Sequence, residues 1–178
     1  MDDVAREYLR DVTARFAQWK QSAEKAVARL DDEQLHWKPD PESNSVAILL
    51  WHIAGNLRSR WRDFGRSDGE KPDRDRDSEF EIGPATRRDE IMAWWDGAWE
   101  LQQAELARVR PEDLLRTVTT RSKPESVIEA IDRQLCHLAS HVGQVIYIAK
   151  HVSGERWQTL SIERGKSREF NEKLGHRI

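Results

Sequence analysis

The stretch "LCHLASHVGQVIYIAKH" runs from Leu135 to His151 and is the most apolar segment of a chain whose mean hydropathy is −0.82. Leu135, Leu138, Val142, Val145 and Ile148 recur at three- and four-residue intervals, the period of a helix with one buried face. Two imidazoles, His137 and His141, sit inside that run. Four residues turn a helix by about 400°, so the two rings share one side, one turn apart. Upstream, Ser126 and Glu129 have the spacing of a capping box, and Gly154 supplies a stop after Val152. Both ends of a long helix are thereby marked.

Working outward, the same period recurs along most of the chain and predicts an all-α protein with about four long helices. A first helix is expected from Asp3 to Leu30, with Val4, Leu9, Val12, Phe16, Trp19, Ala23, Val27 and Leu30 as its stripe. "DDEQLHWKPDPESNS" then interrupts it with two prolines and several capping residues. A second helix follows from Asn44 or Ser45 to Phe64, along Val46, Leu50, Ile53, Leu57, Trp61 and Phe64. "GRSDGEKPDRDRDSEFEIGP" reads as a long surface connection of mixed charge. Thr86 with Asp89 marks the start of a third helix that reaches Arg110, burying Ile91, Trp94, Trp95, Ala98, Leu101 and Leu106 before Pro111. A short fifth helix is expected from Lys166 to Leu174. The architecture that fits is one domain over residues 1–178, an up-and-down-type four-helix bundle with a long connection between helices two and three and a short C-terminal helix.

Composition limits the function classes. A formal net charge of −3 offers no basic stripe for nucleic acid. The longest apolar run, "VIYIA", is too short to span a bilayer. One cysteine, Cys136, rules out an internal disulfide framework and fits a reducing compartment. The opening "MDDVAREYLRDVTARF" lacks a basic start followed by an apolar block. A cytoplasmic protein with a small-molecule substrate, and neither nucleic-acid nor membrane partner, is the expectation.

A buried imidazole needs a partner for each ring nitrogen. His52, in "AILLWHIAGN" of the second helix, is a third imidazole flanked by large apolar side chains. If that helix packs beside the fourth, His52, His137 and His141 converge inside the bundle. Three neutral nitrogens suit zinc, nickel, copper or ferrous iron, and leave a coordination position open. Three internally hydrogen-bonded core histidines satisfy the same pattern, and periodicity alone does not separate the two.

The combination of "SNSVAILLWHIAGNLRSRW", the loop "SDGEKPDRDRDSEFE" and "HLASHVGQVIYIAKH" resembles the DinB-like superfamily of damage-inducible-type proteins, in a branch of unknown function. The resemblance spans nearly the whole chain. It implies a four-helix bundle holding a divalent metal on His52, His137 and His141, with zinc, nickel or iron as the ion. It also implies kinship with bacillithiol S-transferases and a mycothiol-dependent maleylpyruvate isomerase, in which a low-molecular-weight thiol is the co-substrate. Kinship of fold does not fix chemistry. The expected function is therefore a metal-dependent thiol S-transferase or isomerase, against a non-catalytic stress-response module in which the ion tightens the bundle. A metal-free bundle that forms a homodimer through a tryptophan-rich face is the third reading.

Other residues are weighed on the same terms. Gln144, three residues beyond His141 on the same side, is a candidate to orient a ligand or a bound water, although helix packing accounts for it more simply. Arg58 and Arg62 are candidate substrate-binding residues should the substrate carry a carboxylate, since guanidinium matches that geometry; with Arg60 and Arg66 they also suit the negative end of a helix dipole. Trp51, Trp94, Trp95 and Trp99 would wall a pocket above the metal or fill core volume. Cys136 points about 100° away from His137 and reads as a small core or interhelical residue. His36, in a loop, and His176 read as surface residues, and His151 as a cation at a helix C-terminus.

Overall fold

Helices dominate the computed structural model, which describes residues 2–175; His176 lies outside the described residues. In chain order they are α1 (Asp2–Val27), the short α2 (Asp32–His36), α3 (Val46–Trp61), α4 (Arg88–Leu106), α5 (Val127–Ser153) and the short α6 (Ser167–Lys173). One antiparallel hairpin interrupts them, β1 (Thr117–Thr120) with β2 (Lys123–Ser126). None of the described helices is long and apolar enough to cross a membrane.

α3 is the central element, with 14 of its 16 residues buried, so a side chain on almost any of its faces meets protein. α4 packs along one side of it, α5 meets another, and α1 lies along α5. The Ser45 hydroxyl caps α3 by accepting from the Ile48 N–H at 3.2 Å. The helix stops at Trp61, short of the expected Phe64, because Asp63 adopts a left-handed φ of 53°. Phe64 nonetheless packs against the core, half-buried and stacked on Trp61 with ring centroids 4.6 Å apart.

α5 begins and ends where its signals stand. Ser126 Oγ accepts from the Glu129 N–H at 3.2 Å, the Ser126 N–H donates to Glu129 Oε2 at 2.6 Å, and Gly154 closes the helix at a φ of 54°. Elsewhere the expected bounds move. α1 ends at Val27, its Val4 is 75% exposed, and the supposed interruption holds α2. A second capping box, Asp31 with Gln34, starts that helix and seats Leu35 in the core. α4 is shorter than expected at both ends. The Thr86 carbonyl faces His36 Nε2 at 3.1 Å, so His36 is a half-buried helix-end residue rather than a loop residue on the surface.

The hairpin had no signal in "TVTTRSKPES" because neither of its turn residues is a glycine or asparagine. Arg121 and Ser122 both take left-handed φ, 53° and 58°, in a two-residue turn. A carboxylate from elsewhere meets the cost. Asp68 accepts the Arg121 and Ser122 N–H groups at 2.8 Å each, and the Gly69 N–H donates to the Thr119 carbonyl at 2.8 Å. The connection between α3 and α4 therefore lies on the hairpin, and it is not wholly a surface segment, since Lys71 and Glu79 are buried.

Trp61, Trp95 and Trp99 are core volume, each at most 1% exposed, with Phe16 edge-on to Trp61 and Trp99 at centroid distances of 5.9 and 6.4 Å. Trp95 and Trp99 are thus enclosed in the core.

Candidate metal centre

α3 and α5 pack so that His52 faces His137 and His141. One ligand atom from each lies within 4.8 Å of the others, and His52 is 3% exposed while the α5 pair is half-buried. The ring centroids stand 5.3, 5.0 and 4.5 Å apart for the pairs His52–His137, His52–His141 and His137–His141. His52 Nε2 and His137 Nε2 are 3.3 Å apart. That is long for a hydrogen bond. Two nitrogens about 2.0–2.1 Å from one tetrahedral ion would stand at roughly this separation. The group could hold a metal ion.

What surrounds the rings sets their tautomers. His52 Nδ1 lies 2.7 Å from Glu79 Oε2, and an ionised carboxylate only accepts, so Nδ1 carries the hydrogen and the neutral ring has its lone pair on Nε2. His141 Nδ1 lies 2.8 Å from Gln144 Oε1, which leaves its Nε2 free in the same way. His137 Nδ1 is buried with no hydrogen-bond partner among the described residues. Desolvation, with His141 and His52 beside it, pushes the His137 imidazole down to about 3. Burial also lowers His141, against the raising effect of Gln144. Both rings are neutral near pH 7, the form that ligates a metal.

Glu79 comes from a 3-10 turn, Asp77–Phe80, in the connection. The residue is 5% exposed, and its carboxylate accepts from Arg74 Nε at 2.8 Å and Nη2 at 2.9 Å, a bidentate pair behind the histidine contact. Burial raises the Glu79 carboxyl, but hydrogen bonds from His52 and Arg74 outweigh it and leave the group below its usual range. Phe80 lies 4.6 Å from the His52 ring, centroid to centroid. Gly55, one turn beyond His52, makes room for this arrangement. A Cβ there would lie 2.4 Å from Glu79 Oε1.

Glu79 and Arg74 were missed in the sequence because they stand in a run of alternating charge that reads as solvated. Two signals were present. Gly55 in the middle of an apolar helix marks a close approach, and Phe80 is the one aromatic in the charged run.

The remaining candidates separate. Gln144 is exposed and contacts His141 as described. Cys136 is exposed, which corrects its reading as a core or interhelical residue; it follows the helical rotation that turns it off the histidine face. His151 stands exposed in the last turn of α5, its ring 5.1 Å from Trp37. Arg62 is already paired with Asp73. Arg58 instead lies over the Trp94 ring, 4.0 Å from its centroid. Trp51 and Trp94 stack at 5.2 Å in a cleft that Glu79 also lines and that none of the three histidines lines. They do not wall a pocket above the cluster.

No curated protein matches the chain significantly. Residues 3–166, which include all three histidines together with Glu79 and Gln144, match one family profile, described as Protein of unknown function (DUF1572). The chain belongs to that family.

Proposed function

We propose that this chain is a divalent-metal protein of the DinB-like type, its four long helices arranged as that bundle, with His52, His137 and His141 holding one transition-metal ion. The observation that carries the reading is the cluster itself, three imidazoles within 4.8 Å, two of them with Nδ1 committed to an acceptor so that Nε2 is left to ligate. A ligating histidine ordinarily donates its other N–H to a carboxylate, carbonyl or water, and Glu79 and Gln144 are placed to accept. Arg74 holds Glu79 ionised and in position, and Phe80 limits the rotation of His52. All-nitrogen donation favours zinc, nickel or iron over magnesium or calcium.

The activity we assign is that of a cytosolic metal-dependent thiol S-transferase or isomerase. When bound, the ion would supply Lewis acidity that keeps a low-molecular-weight thiol as its thiolate. The residues of the chain hold the ring orientations, and burial keeps the His137 and His141 imidazoles neutral. Protein purified without an affinity tag should carry close to one equivalent of transition metal, and His137→Ala should lose it. Absence of metal in the wild type, or unchanged content in the variant, removes the reading. Thiol chemistry is then tested separately, by turnover of bacillithiol, mycothiol, glutathione or coenzyme A with model electrophiles.

A second reading has its own support. The histidines and Glu79 join α3, α5 and the connection at one point, so an ion there would cross-link three segments. A metal protein without turnover, whose melting temperature falls on chelation, would be of that non-catalytic kind.

A further inference from the structure

The cleft beside Glu79 contains a guanidinium that has no ion-pair partner among the described residues. Its volume is about 410 Å³, within the range of small-ligand sites, and it opens between α3, α4 and the connection. Three carboxylates line it, and each is engaged. Asp73 pairs with Arg62, Glu79 with Arg74 and His52, and Asp75 accepts the Ser78 N–H at 3.2 Å. Four cations line it, and three of those are engaged too, since Lys71 donates to Ser67 Oγ and the Asp68 carbonyl. Arg58 is the remaining one. Its Nε is buried without a partner, and its side chain makes no hydrogen bond or ion pair among the described residues.

The guanidinium is nevertheless held in one place. It lies 4.0 Å from the Trp94 centroid, Trp94 stacks with Trp51, and the Trp94 Nε1–H donates to the Trp51 carbonyl at 3.3 Å. Gly97 on α4 keeps the space open, since a Cβ there would stand 2.7 Å from Arg58 Nη2. A glycine inside a helix is destabilising relative to alanine. Here it leaves room for the cation.

We propose that this cleft binds a small aromatic carboxylate, its carboxyl group taken by Arg58 and its flat apolar body resting on Trp51, Trp94 and Leu101. A fixed planar fork matches a carboxylate in two hydrogen bonds, and little side-chain entropy is left to lose on binding. The site stands apart from the metal reading, because neither its charge nor its aromatic wall involves a histidine.

The test uses the full chain with chelator present, so that failure here is separate from failure of metal binding. Benzoate is the probe, with benzamide as its neutral counterpart of the same shape and inorganic phosphate as a charged but not flat one. Binding is followed through the indole N–H resonances of Trp51 and Trp94. Benzoate should saturate with a Kd on the order of 1 mM, and benzamide and phosphate should bind about tenfold more weakly or less. Arg58→Gln should show the same loss. Gly97→Ala supplies a variant that keeps Arg58 and should fold, because the obstructing atom is the end of a flexible side chain; it should weaken benzoate several-fold while the melting temperature stays within a few degrees. Equal binding of benzamide, saturation by phosphate alone, wild-type affinity in both variants, or no saturation by 20-fold the expected Kd would each overturn the proposal.

Discussion

Two arms of the chain meet at the histidine cluster, and they are built by different rules. The α5 arm presents His137 and His141 by helical period alone, one turn apart on a helix whose ends are fixed by Ser126 and Gly154. The connection arm has no period. It delivers Glu79 through a 3-10 turn, held by Arg74 from five residues earlier and admitted by the bare backbone of Gly55. One arm sets the spacing of the nitrogens. The other sets charge and tautomer, through Arg74 five residues away and His52 on another element, contacts that follow no helical period. The difference implies that damage to the second arm should spread into the fold, because a buried carboxylate, a buried guanidinium and a buried imidazole depend on one another there.

Removing Glu79 breaks the comparison most strongly. In Glu79→Ala, the Arg74 side chain, itself 6% exposed, loses its bidentate partner and His52 loses the acceptor of its Nδ1–H. Taking one member from a buried ion pair costs about 3–5 kcal/mol. Chemical denaturation should show a loss of that size, and metal affinity should fall by about 10–100-fold. Glu79→Gln, which retains an acceptor without the charge, should fall between. A loss under about 1 kcal/mol in the alanine variant would mean that Arg74 finds water instead and that the connection contributes little to the core.

Gly55→Ala attacks the same contact from the helix. Its Cβ would displace the Glu79 carboxylate rather than backbone, so the chain should fold with the carboxylate moved off His52. Overpacking costs about 1–3 kcal/mol, and the gain in helix propensity of about 1 kcal/mol offsets part of it. The net effect on stability should be smaller than that of Glu79→Ala, with a comparable loss of metal affinity. Unchanged affinity would show that the Glu79 contact does not orient His52.

The same division decides what could be read from the sequence. α5, α3 and the three histidines were legible because burial on a helix repeats with the period of the helix, and Ser126, Ser45 and Gly154 mark ends by local hydrogen bonding and φ. The hairpin was not, because its left-handed turn at Arg121 and Ser122 is held by Asp68, more than fifty residues away. α2 was obscured by nearby prolines, although Asp31 and Gln34 carried its capping box. Arg58 and Arg62 looked equivalent from helix position, and only the fold distinguishes the one paired with Asp73 from the one left over Trp94.

Acid should separate the two arms with a smaller and more local effect. Burial raises the Asp68 carboxyl, but the N–H groups of Glu70, Ser122 and Arg121 together with Thr119 outweigh it and bring the group to about 2. Glu70 follows the same logic: desolvation raises it, hydrogen bonds from Arg60 and Arg121 lower it further, and it too settles at about 2. Each carboxylate is bound more weakly by protons in the fold than in the unfolded chain, whose values are near 3.8 and 4.5. Their contribution is therefore complete above about pH 4.5 and is lost as pH falls toward 2. Between those limits the hairpin and the connection should loosen first while the middle of α5 keeps its structure, because its apolar face lies outside this network. Hydrogen exchange at pH 3 should show Arg121, Ser122 and Gly69 amides losing protection ahead of the amides of Leu138 and Val142. Asp68→Asn should bring that early loosening to neutral pH. Simultaneous loss of protection in both arms would mean that the connection is not a separate cooperative unit and that the contrast between the arms ends at the sequence.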